Sequence, residues 1–115
     1  MITIEVFHAA FEDQPVHVAT LRTGEPLEQA LEWVFTATQN LEQSWVHARN
    51  KVLVHVTAPV GERGACRSTS MGDYVRIVDE NGTESFWRCC AIGWKAITNR
   101  EDLKRAQDAA IFAGI

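Results

Sequence analysis

Between Tyr74 and Ile97 the sequence YVRIVDENGTESFWRCCAIGWKAI reads as a strand, a reversal and a returning strand. No other stretch limits the fold as much. Tyr74-Val75-Arg76-Ile77-Val78 is rich in β-branched and aromatic residues and alternates as a half-buried strand should. Asn81-Gly82 follows, and both residues tolerate the positive φ of a type I′ hairpin turn. With those two as the loop, Glu80 pairs with Thr83. Counting outward sets Val78 opposite Ser85, Ile77 opposite Phe86, Arg76 opposite Trp87 and Val75 opposite Arg88. Because neighbours alternate faces, Val75, Ile77 and Phe86 are expected on the core side and Arg76 and Trp87 on the outer side, stacked by a cation–π contact.

The run ahead of the hairpin, Arg67-Ser68-Thr69-Ser70, offers hydroxyls to the local backbone, and Met71-Gly72-Asp73 bends into the strand. Ser68 to Ser70 could form an anion nest, but Ser, Gly and Asp are ordinary turn formers and a turn is the expected role. Beyond Cys90 the apolar run exceeds a normal strand, which predicts a bend or bulge near Gly93 and a short last strand over Lys95 to Ile97 anchored by Trp94.

Taken from its start, the chain offers a strand over Ile2 to Phe7, a connection tipped by Glu12 and Asp13, and a weaker strand over Val16 to Leu21, which could pair with the first as a long-looped hairpin. Thr23-Gly24-Glu25-Pro26 opens a helix over Pro26 to Gln39, in which Leu27, Ala30, Leu31 and Val34 recur at helical spacing. Glu25, Glu28 and Glu32 sit early, where the helix dipole favours negative charge. Trp33 lies off that stripe and either widens the buried face, the expected role, or contacts a partner. Asn40 to Lys51 carries no clear pattern; its Trp45 is either a binding anchor or a plug at the sheet edge. Val52 to Thr57 alternates as a strand, and Ala58 to Gly64 is a loop whose tip is expected to be mobile or cleavable. Thr98-Asn99-Arg100-Glu101 matches a capping box for a second helix ending near Ala113, with Gly114 as its stop.

At 115 residues, 46% hydrophobic and 23% charged, the chain is one ordinary globular domain. Its net charge of −4 and scattered Lys and Arg disfavour a nucleic-acid binder. No apolar run approaches the ~20 residues that span a bilayer, and the N-terminus lacks a secretory signal, so a cytoplasmic location is expected. Cys66, Cys89 and Cys90 are odd in number with two adjacent, a poor disulfide framework; they read as free thiols rather than a redox pair. His8, His17, His47 and His55 show no metal-ligand spacing, and P-loop, G-x-G-x-x-G and G-x-S-x-G motifs are missing. No catalytic residue, cofactor or metal site is assigned. A Cys–His pair assembled in space stays open.

The strings RSTSMGDYVRI and FWRCCAIGWKAI resemble the YodL-like proteins and the uncharacterised small proteins of actinobacterial phages and prophages. Those show an R-S-x-S-V-G-D-V strand entry, a short hairpin and a G-W or G-F ending. The matching positions here are Arg67, Ser68, Ser70, Gly72, Asp73, Gly93 and Trp94, with Met71 in place of the usual Val. The helix PLEQALEWVFTATQN followed by Trp45 is similar to the helix-then-Trp arrangement of the group, whereas the segment from Val52 to Cys66 is longer. The resemblance implies an accessory protein of a phage or mobile element, sometimes encoded near antirestriction genes, and carries over no activity.

The expected fold is α+β: an antiparallel sheet of four to six strands with two helices packed mainly on one face. The expected function is non-enzymatic binding to a protein of the bacterial host, with homodimerisation open. Trp45, Tyr74, Arg76 and Trp87 are the candidate contact residues, since Trp, Tyr and Arg dominate interfaces. The alternatives are an antirestriction or nucleic-acid-associated factor and a small enzyme.

Overall fold

The computed structural model describes residues 1–40, 45–46, 53–57 and 66–115, with residues 53–55 as backbone alone. The loop expected at 58–64, most of the segment at 40–51 including His47, and the His55 side chain lie outside the described residues. In chain order the elements are β1 (Ile2–His8), β2 (Val16–Thr23), α1 (Leu27–Ala37), β3 (Leu53–Val56), β4 (Tyr74–Val78), β5 (Glu84–Cys89), β6 (Trp94–Ala96) and α2 (Arg100–Phe112). The strands form one six-stranded sheet in the order β3-β2-β1-β4-β5-β6, with every pairing antiparallel. The α+β class and the strand number are as expected.

The β4–β5 hairpin exists, but its register differs by one residue from the type I′ arrangement. Val78 pairs with Glu84, Ile77 with Ser85, Arg76 with Phe86, Val75 with Trp87 and Tyr74 with Arg88. Asn81 does not take a positive φ; Gly82 does, at 80°. Asp79 makes the difference. Its Oδ1 accepts from the amides of Asn81 and Thr83, both at 2.9 Å, and its carbonyl accepts from Gly82 N at 3.0 Å. Asp at the first turn position and Gly at the fourth is the signature of a type I turn, here followed by glycine in the left-handed region to give a three-residue loop. A one-residue slip turns over every side chain of β5. Phe86 therefore faces away from Ile77, and Trp87 joins the side of Val75 and Ile77.

This alternation, carried across β1, gives the sheet two apolar faces. Ile4 and Val6 of β1 pair with Ile77 and Val75, and with Leu21 and Ala19, to form one buried face. Ala30, Leu31, Val34 and Ala37 of α1 pack there, joined by Trp45 and flanked by the half-buried Trp87 and Trp94. Phe7 pairs with Tyr74 on the opposite face, where Phe86, Ile97 and the α2 residues Ala106 and Ala110 complete a second cluster. The helices thus lie on opposite faces, not mainly on one. A light stripe of alanines brings α2 close to aromatic rings, whereas the broader stripe of α1 covers the aliphatic side. Between Val6 and Phe7 the β1–β2 register shifts, leaving Val18 as the extra residue of a bulge.

The helix ends follow from local chemistry. Pro26 precedes α1 with a fixed φ of −57°. In α2 the cap is Asn99 rather than Thr98: its Oδ1 accepts from Glu101 N and Asp102 N at 3.0 and 3.2 Å. Trp33, expected in the core, is 37% exposed on the outer side of α1.

Candidate functional site

Of the residues that carry the resemblance, Arg67 and Ser70 bind the carboxylate of Asp73, with Ser68 and Gly72 beside them, whereas Gly93 and Trp94 lie apart at the start of β6. Asp73 is completely buried at the entry to β4. Its two oxygens accept Arg67 Nη1 and Nη2, both at 2.7 Å, in a fork-to-fork pair, together with the amides of Ala9, Ala10 and Ser70 at 2.8–2.9 Å. Arg67 also reaches Glu12 at 2.6 and 3.0 Å and lies over the Phe11 ring, 5.0 Å from its centroid. Gly72 sits at φ 96°, where a Cβ would stand 3.1 Å from the Ala10 Cβ, so the site tolerates no side chain without displacing the β1–β2 connection. Ser68 Oγ accepts from Asn40 N at 2.7 Å. Every strong group of this knot is satisfied from within the chain. It ties the β1–β2 connection and the end of α1 to the start of the hairpin, and offers no donor set to a ligand.

Beside the knot a thiol and an imidazole come close together. Cys66 Sγ lies 3.8 Å from His8 Nδ1, and His8 Nε2 lies 3.0 Å from Thr69 Oγ1 and 3.9 Å from Asp73 Oδ2. Burial pushes the Cys66 thiol up and the His8 imidazole down. Both shifts oppose a thiolate–imidazolium pair, which needs a lowered thiol. Among the described residues, no group of three His, Cys, Asp or Glu side chains could hold a metal ion.

His8 gives the fold a pH dependence of definite sign. Its folded pKa lies below the ordinary 6.5 because burial disfavours the charged ring. The unfolded chain takes up that proton first, so stability falls as pH drops through and below 6.5. Urea midpoints measured from about pH 7.5 down to about pH 5.5 are expected to decline, and His8→Gln to flatten that decline. An equal slope in both proteins would assign the effect elsewhere.

The four expected contact residues do not form a surface. Trp45 is 1% exposed, its Nε1 donating to Arg67 O at 2.9 Å. Tyr74 is buried, stacked on Phe7 at 5.0 Å between ring centroids. Arg76 is on the α2 face, where Nη1 meets both oxygens of Glu5 at 2.9–3.0 Å and Nε meets Glu84 at 2.6 Å. Burial raises the Glu5 carboxyl against the opposing pull of Arg76. Trp87 is on the α1 face, half-buried, its Nε1 3.2 Å from Ser85 Oγ. The expected Arg76–Trp87 stack is excluded, because the corrected register puts the two on opposite sides of β4–β5.

Tyr74 carries a further consequence. Its hydroxyl is buried and meets no hydrogen-bond partner among the described residues, and desolvation raises its pKa. Removing an unsatisfied buried hydroxyl while keeping the ring relieves its desolvation. Tyr74→Phe is therefore expected to stabilise the fold by about 1 kcal/mol, read as a higher urea midpoint at unchanged slope. Destabilisation by the same amount would mean that the hydroxyl is bonded in solution.

Trp87 and Trp94 belong instead to an open groove of ≈ 540 Å³ between α1 and the β5–β6 edge. Leu27 and Leu31 supply its α1 wall; Glu28 and Glu32, one helical turn apart, form its rim. A second depression of ≈ 200 Å³ continues it past Glu32 and Trp94 to Phe35 and Cys89. Among the described residues no Lys or Arg lines either part. The groove needs the corrected register, since only there do Trp87 and Trp94 share the α1 face. Trp94 was legible as part of the Gly-Trp ending. Leu27, Glu28 and Glu32 were legible as helix residues but not as a wall, because their neighbour β6 is distant in sequence.

Comparison with family models, with curated proteins and with solved structures gives no match for this chain.

Proposed function

We propose that the chain is an accessory protein of a phage or mobile element that acts by binding a protein of the bacterial host, and that it does so through the groove between α1 and β6. The resemblance around Arg67, Gly72, Asp73 and Trp94 motivates the genomic setting. The observation that carries the binding role is the groove itself: two half-buried tryptophans and an exposed Phe35 in one concavity, which is the composition of an interface anchor rather than of a solvated surface. No helix among the described residues is long and apolar enough to cross a membrane. The acidic rim repels phosphate, so nucleic-acid contact draws no support from this site.

The test is capture from actinobacterial lysate by the tagged chain, with Trp87→Ala and Trp94→Ala beside Lys104→Ala on the far helix. A specific partner is expected to be retained by the last variant and lost by the first two. Equal capture by all three removes the groove from the account.

A further inference from the structure

The groove lies beside an unfinished sheet edge. β6 pairs with β5 on one side, and no described strand pairs with the other. Ile97 N donates to Phe86 O at 2.8 Å, and Gly93 O accepts from Cys90 N at 2.9 Å, so positions 93, 95 and 97 turn their backbone groups inward to β5. By the alternation of an antiparallel ladder, the N–H and C=O of Trp94 and Ala96 point out from the edge. The side chains of those same two residues face α1, whereas Lys95, opposite Arg88, faces the α2 side. A strand edge with no described partner, an aromatic floor and an acidic rim therefore meet at one place.

We propose that the occupant of this groove is an extended, basic segment of the partner protein, added to β6 as a seventh strand. The inference rests on the groove being the binding site and goes beyond it by fixing the chemistry of what binds. The segment's backbone completes the ladder at Trp94 and Ala96. One of its alternate side chains, a Lys or Arg, enters beneath α1, where Glu28 and Glu32 attract the charge and the faces of Trp87 and Trp94 receive the cation and its aliphatic stem. Charge complementarity selects this occupant over a second copy of the chain. In an antiparallel pairing of β6 with itself centred on Lys95, that residue would meet its own like charge, and the acidic rims of the two α1 helices would lie on one face of the joined sheet.

The probe is a fluorescein-labelled synthetic heptapeptide, Val-Lys-Thr-Lys-Thr-Lys-Val, compared by anisotropy with its Glu-for-Lys twin and with a version N-methylated at alternate amides. The lysine peptide is expected to bind, more weakly as salt rises. The Glu twin and the N-methylated version are expected not to bind. Trp87→Ala should weaken binding on the order of thirty-fold, as loss of an aromatic anchor does. Glu28→Gln with Glu32→Gln should weaken it about five-fold, the size of an exposed charge pair. Ala96→Pro removes one outward donor at an edge position where proline is tolerated, and should abolish binding while far-ultraviolet dichroism stays native.

Equal binding of the Lys and Glu peptides, or tight binding of the N-methylated one, overturns the proposal even if the tryptophan variants lose lysate capture; the groove would then bind by another chemistry. No binding of the lysine peptide at millimolar concentration also overturns it. So does a concentration-dependent dimer in sedimentation that Ala96→Pro dissolves, since the edge would then serve a second copy. Loss of groove dependence in the capture experiment instead removes the binding site itself.

Discussion

Asp73→Ala is expected to lower the unfolding free energy by about 3–5 kcal/mol, a large part of the stability of a domain this size. The cost arises less from the lost attraction than from what stays behind. The Arg67 guanidinium would keep Glu12 but lose the fork of Asp73, and the amides of Ala9, Ala10 and Ser70 would lose their acceptor together. Urea denaturation of the single variant and of Asp73→Ala with Arg67→Ala measures this. The double variant is expected to cost clearly less than the sum of the singles, because it removes the charge that the first change strands. Strict additivity would mean that the pair is not coupled. The same knot is sensitive to acid. Burial pushes the Asp73 carboxyl up, but the bonds from Arg67, Ser70, Ala10 and Ala9 together hold it below the ordinary 3.8. The hydrogen bond from Arg67 likewise holds Glu12 below 4.5. Both groups thus stabilise the fold above the ordinary carboxylate range, and that contribution disappears as pH falls through their folded values.

Phe86→Ala should cost a similar amount, about 3–5 kcal/mol, since the ring is 2% exposed and its removal leaves a hole beneath α2. Trp87→Ala, one residue on, should cost less despite the larger side chain, because Trp87 is half-buried on the open floor of the groove. A coupling measurement decides the register more sharply. Phe86→Ala with Tyr74→Leu is expected to be non-additive by about 0.5–1.5 kcal/mol, since the two rings lie 6.2 Å apart. Phe86→Ala with Ile77→Val should be additive. The reverse pattern would restore the type I′ hairpin, put Phe86 back beside Ile77, and dissolve the groove.

That hairpin shows where sequence is informative and where it stops. Asn-Gly announces a reversal but leaves two loops open that differ by one residue. The deciding signal was present in Asp79, a residue suited to the first position of a type I turn with Gly82 at the fourth. Its carboxylate competes for the turn amides, a local effect that alternation in the strands does not register. Trp45 and Tyr74 lie inside for a different reason. Both have the residue types of interface anchors, yet the same ring area that favours an interface also favours the core.

By itself the chain determined its elements: alternation set the strands, a stripe of Leu, Ala and Val set α1, and Gly82, Gly93 and Gly114 marked the ends. Those are properties of neighbours within a few residues, where backbone geometry and side-chain spacing act directly. Tertiary structure alone decided that β4 pairs with the other side of β1, that the helices take opposite faces, and that Asp73 reaches back to Ala9 and Ala10. Each of these joins segments dozens of residues apart. Local propensity carries no information across such distances, so the choice falls to which apolar faces and buried polar groups can be satisfied at once.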